Sequence, residues 1–211
     1  MRLFDRTNLP LPITPIQILW LNLATDGFPA LALGVDPPSR GVMERPPREP
    51  GKKMMDRGMI SFVLVAGFVA FLASSFMFLW SLNTYIGHIP GLTGPMVNWD
   101  IEPYVTNLRH ARTAVFASVV TFELIFVWNC RDEYHPIWRT EIRHSTALFA
   151  AVAVSIILTL MTIYAPFMQP LFDTMPLEPM AWVLIILTSL PALLIPPHIL
   201  FGHKDELLPE E

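Results

Sequence analysis

Three polar residues interrupt an apolar run: in LWLNLATDGFPALALG, residues 19–34, Asn22, Thr25 and Asp26 fall at i, i+3 and i+4. On a helix that spacing carries an amide oxygen, a hydroxyl and a carboxylate to one face. A second acid, Glu123, interrupts another apolar run, VVTFELIFVW. All four are hard oxygen donors, the chemistry that suits Ca2+, Mg2+ or Mn2+ rather than soft metals. A carboxylate at mid-bilayer costs at least about 2.5 kcal/mol, so such groups normally face a partner or a watery cavity. Gly27 and Pro29 follow at once, and Pro29 lacks an N–H and crowds the carbonyl one turn back, near Thr25. The helix is therefore expected to break near Gly27–Pro29. Hydrocarbon tolerates such a break only beside protein or a hydrated site, and ion transporters build sites at broken helices.

Asp26 and Glu123 each lie roughly thirteen residues into their apolar runs, about 20 Å of helix at 1.5 Å per residue. Two acids at matched depth repel unless a cation, a proton or a basic side chain lies between them. The runs are read as free of Lys and Arg, with Arg109 and Arg112 assigned to a loop, so a bound cation is the economical partner. Ca2+ takes six to eight oxygens, more than four side chains supply. Other helices are expected to complete the cage. Each residue also has a plainer role open to it. Asp26 and Glu123 could be protonated packing groups, Thr25 could bond its own backbone, and Asn22 could join helices.

These residues need a membrane to make sense. Of 211 residues, 53% are hydrophobic and 15% charged, against about 25% charged in soluble domains. Five segments are long and apolar enough to span: roughly 13–35, 59–81, 111–130, 146–168 and 180–200. The fold class is thus an all-α, polytopic membrane bundle of five transmembrane helices, a single domain over 1–211. A net charge of -4 without a basic stripe gives no sign of a nucleic-acid partner. The lone Cys130 excludes an intrachain disulfide, and the six histidines lack ligand spacing. The polar residues inside the first run argue against a signal peptide. Ten Lys and Arg fall in the 36–58 and 131–145 loops and the tail, against Arg2, Arg6, Arg109 and Arg112 on the other side. Basic loops face the cytoplasm, which puts the N-terminus outside and the C-terminus inside. Such a unit reads as the tail of something longer. Ala66, Ala70 and Ser74, with Gly67 alongside, form a small-residue stripe. It suits either packing within the five helices or docking of a helix from elsewhere.

The motifs also carry a family likeness. ITPIQILWLNLATDGFPALALGVDPP, followed by MERPPREP, resembles the sixth membrane helix and following loop of type II P-type cation ATPases, most of all calcium pumps. TFELIFVWNCRDE looks like their eighth helix, and YAPFMQPLFDTMPLEPMAW resembles the connection between the ninth and tenth. The resemblance implies that Asn22, Thr25 and Asp26 match sixth-helix calcium ligands and that Glu123 matches the eighth-helix ligand. Phe126 departs from the amide that some animal pumps carry one turn on, and Asn22 from the acid expected in sodium/potassium pumps. No DKTGT, TGES or TGDGxND motif is present. The likeness therefore implies no ATPase activity from this chain alone, with ATP and Mg2+ entering only through other domains. The transported ion is expected to be Ca2+, with Mg2+ or Mn2+ as alternatives. The expected partners are the lipid bilayer, the remaining ATPase helices and the cytoplasmic catalytic domains, which the 36–58 loop would contact. A non-enzymatic membrane scaffold or regulatory partner stays open as the alternative. A small secondary transporter would need internal repeats, and none is seen.

Overall fold

The structure is a computed structural model that describes residues 10–37, 57–88, 99, 101–131 and 145–195. Among the described residues every regular element is helical. In chain order they are α1 (Pro15–Trp20), a π-helical turn (Leu21–Thr25), α2 (Gly27–Gly34), α3 (Arg57–Ile86) and α4 (Tyr104–Phe126) with a 3-10 turn (Val127–Cys130). Then come α5 (Thr146–Tyr164), the short α6 (Gln169–Phe172), and α7 (Pro179–Ser189) with a closing 3-10 turn (Leu190–Leu194). Four helical stretches are long and apolar enough to cross a membrane: Pro15–Gly34, Arg57–Ile86, Tyr104–Cys130 and Thr146–Tyr164. The expected fifth, at 180–200, is a shorter apolar helix, Pro179–Leu194, and residues 196–200 lie outside the described residues. So do most of the 36–58 and 131–145 loops and the tail, on which the orientation argument rests.

α1 starts where its sequence says it should. Thr14 and Gln17 form a capping box: the Gln17 N–H donates to Thr14 Oγ1 at 3.4 Å, and the Thr14 N–H donates to Gln17 Oε1 at 3.0 Å. Gln17 is fully buried, and its Nε2 donates to the Phe172 carbonyl at 2.9 Å, tying α1 to α6. α5 stops at Tyr164, short of the expected 168, because Ala165 is extended ahead of Pro166.

α4 is the central helix. Every residue from Thr113 to Ser118 is buried, so it has neighbours all round. Met77 of α3, Ala114 and Ala117 of α4, Ile163 of α5 and Ile185 of α7 form one core cluster. Phe62, Ala66, Phe122, Ala192 and Ile195 form another, against which Phe126 stacks on Phe62 with ring centroids 5.1 Å apart. Ala66 thus packs inside these helices, whereas Gly67 is exposed with open space around it. The outer face of α3 shows Val63, Leu64, Phe68 and Phe71, an apolar surface of the kind lipid covers.

One boundary changes the electrostatics. α4 begins at Tyr104 rather than 111, so Arg109 falls within the helix and Arg112, at the edge of the expected span, lies about two turns inside it. Glu123 lies three turns or more further along the same helix, roughly 16 Å at 1.5 Å per residue, and both arginines are instead held by Asp173. Arg109 Nε lies 2.7 Å from Asp173 Oδ1, and Arg112 Nη1 lies 3.1 Å from Asp173 Oδ2.

Candidate cation site

The break in the first membrane segment has a definite form. The Asp26 N–H donates to the Leu21 carbonyl at 3.0 Å, five residues back, and regular helix resumes with Ala30 N–H to the Asp26 carbonyl at 3.0 Å. The irregularity therefore sits at Leu21–Asp26, just ahead of the expected Gly27–Pro29. Pro29 falls in the first turn of α2, where a missing N–H is no loss.

The wide turn also revises the expected common face. A turn closed over five residues rather than four swings Thr25 away from Asn22 while leaving Asp26 beside it. Thr25 is buried, and Asn22 and Asp26 are exposed on the surface of this chain. Thr25 Oγ1 lies 2.7 Å from the Leu21 carbonyl and 3.2 Å from Glu123 Oε2, as donor to each. One hydroxyl proton serves two acceptors, leaving the oxygen's own lone pairs free for a further contact. Glu123 is half-buried, and Asp26 follows Thr25 directly in the chain. The structure thus brings Thr25 and Glu123 into contact, with Asp26 next to Thr25 in the chain and Asn22 one turn before Asp26.

The two acids have no basic partner among the described residues. The ion pairs there are Arg109–Asp173, Arg112–Asp173 and Arg131–Asp36. Nor do the described residues include a group of three or more His, Cys, Asp or Glu able to hold a metal. Two carboxylates, a hydroxyl and an amide suit a hard cation and fall short of a full Ca2+ shell.

Sequence reading missed the groups that brace this arrangement. Asp36, after α2, accepts from Arg131 Nε at 2.6 Å and from Ser145 Oγ, joining the ends of three membrane segments. At the opposite end Asp173, just after α6, pairs with Arg109 and Arg112 of α4, and Arg112 Nε also donates to the Leu11 carbonyl at 2.9 Å. The available signal was charge balance: one Asp beside each helix end, with Arg residues at both ends of α4.

An all-helical bundle with apolar outer faces and several spanning helices is an integral, multi-pass membrane protein. Its family follows from comparison: the family described as "Cation transporting ATPase, C-terminus" matches residues 10–196, and the chain belongs to it. The chain is similar to a calcium-transporting ATPase of Bacillus subtilis, 36% identical over 93% of this chain and 20% of that protein. It is likewise similar to calcium-transporting ATPase type 2C member 2 of Mus musculus, 31% identical over 87% of this chain and 17% of the relative. An endoplasmic reticulum calcium ATPase of Aspergillus fumigatus is 25% identical over 89% of this chain and 20% of its own length. The chain spans about a fifth of the length of these relatives. It is the C-terminal membrane region of a P-type cation ATPase.

Proposed function

We propose that residues 1–211 act as the C-terminal membrane domain of a pump for a divalent cation, Ca2+ before Mg2+ or Mn2+, and supply part of its intramembrane ion site. In this reading Asp26 and Glu123 contribute negative charge, and Asn22 and Thr25 contribute neutral oxygens. The observation that carries it is the 3.2 Å contact between Thr25 Oγ1 and Glu123 Oε2, which joins the broken helix to the central one beside two acids that no described Arg or Lys neutralises. Asn22 and Asp26 turn outward, so helices from the rest of the pump complete the shell on that side. The π-turn gives the segment room to rearrange. Movements in ATP-handling domains elsewhere then shift which membrane face the site opens to. The N-terminal end lies outside and the C-terminal end in the cytoplasm, with the 36–58 loop against the catalytic domains.

The test is Asp26→Asn in the full-length pump. The carboxamide keeps the shape and removes the charge, and cation-stimulated phosphorylation is expected to disappear. Normal Ca2+ dependence in that variant refutes the ligand role.

A further inference from the structure

Backbone accounting around the break leaves a gap that a neighbouring helix fills. The N–H of Asp26 is committed to the Leu21 carbonyl, and that of Ala30 to the Asp26 carbonyl. Pro29 has no N–H. Only Gly27 and Phe28 remain to serve the carbonyls of Asn22, Leu23, Ala24 and Thr25. At least two of those four need a donor from outside the ladder. Ala24 is 2% exposed, so its carbonyl has little access to solvent. It accepts from Ser155 Oγ of α5 at 2.9 Å.

Ser155 is fully buried, and its bond is of an unusual kind for a hydroxyl in an apolar helix. Such groups commonly donate to a carbonyl of their own helix. Thr159 donates to Ser155 (2.8 Å), Thr188 to Leu184 (2.8 Å) and Ser74 to Ala70 (2.8 Å). Ser155 donates instead to the irregular turn of another membrane segment, one residue before Thr25.

We propose that Ser155 is a positioning residue for the cation site, a role that rests on the site proposed above. Its hydroxyl holds the Ala24 peptide in the wide register. That register points Thr25 at Glu123 and leaves Asn22 and Asp26 together on the open face. Without the donor, the buried Ala24 carbonyl recovers a partner when the turn tightens toward regular helix. Tightening turns Thr25 back toward Asn22 and away from Glu123.

The experiment uses the full-length pump, reading the Ca2+ concentration for half-maximal ATP hydrolysis and the thermal unfolding midpoint in detergent. Ser155→Ala is expected to raise half-activating Ca2+ about tenfold, the scale of one buried hydrogen bond, with maximal rate unchanged. Ser155→Thr keeps the donor and is expected to stay within about threefold of the parent. Thr174→Val removes another buried hydroxyl bond, to the Thr162 carbonyl at 2.5 Å, away from the break. It should lower the midpoint without moving Ca2+ activation. Unchanged half-activation in Ser155→Ala, or an equal shift in Thr174→Val, overturns the inference. If Ser155→Ala does not accumulate, Ser155→Cys, a similar shape with a weaker donor, takes its place with the same expected direction. Asp26→Asn is assayed alongside. If it loses Ca2+ activation while Ser155→Ala does not shift, only the role of Ser155 fails. If it keeps normal Ca2+ dependence, the site itself fails.

Discussion

Four acids of this chain divide into two pairs with opposite surroundings. Asp36 and Asp173 sit at opposite ends of the bundle and are each held by arginine. Asp26 and Glu123 lie between those ends without a basic partner among the described residues; the hydroxyl of Thr25, next to Asp26 in the chain, donates to Glu123. The first pair has the makings of a fastening: opposite charges satisfy each other and bridge segments far apart in sequence. The second has no basic partner among the described residues, a poor way to hold helices together and, in the function proposed above, a place for an ion. On the proposed function, the difference separates acids that build the bundle from acids that the bundle holds ready for a cation.

The comparison can be broken first at its centre. Glu123→Gln should raise half-activating Ca2+ in the full-length pump at least about a hundredfold, the upper range for losing even an outer partner of a metal. A normal activation curve would make Glu123 one more packing residue. Asp36→Ala should do the reverse. The Arg131–Asp36 pair is mostly enclosed, with side-chain exposures of 11% and 8%, and removing one partner of such a pair costs about 3 kcal/mol. Thermal unfolding should register that loss, while Ca2+ activation of the surviving fold stays in place. Asp173→Asn should cost least, about 1 kcal/mol, because this cluster is 20–36% exposed. Raising salt in the detergent assay should erode the Asp173 contribution and leave that of Asp36 largely intact. Equal sensitivity of the two would remove the distinction between them.

Much of this was legible in the chain because the bilayer imposes simple demands. Apolar length marked the helices, and the cost of burying acids marked Asp26 and Glu123. Pro29 announced a break, but its position did not locate it. A proline in the first turn of α2 is harmless to that helix, and the disturbance moves to the preceding carbonyls. The π-turn then rotates Thr25 out of the face that i, i+3, i+4 spacing assigned to it. Ser155 was invisible for a related reason. A hydroxyl in an apolar helix usually bonds locally, and only the neighbouring break gives it another task. Arg109 and Arg112 looked like loop charges because hydropathy drops there, yet Asp173 allows α4 to carry them.

The lengths of α3 and α7 have a further consequence for the surrounding lipid. α3 has 30 residues, about 45 Å, and overshoots a hydrocarbon layer of about 30 Å unless it leans. The described part of the last helix, Pro179–Leu194, reaches about 26 Å, its closing 3-10 turn rising faster than the rest. Among the described residues the bundle therefore pairs a long helix with a short one, and the lipid beside α3 is met by a wall that must lean.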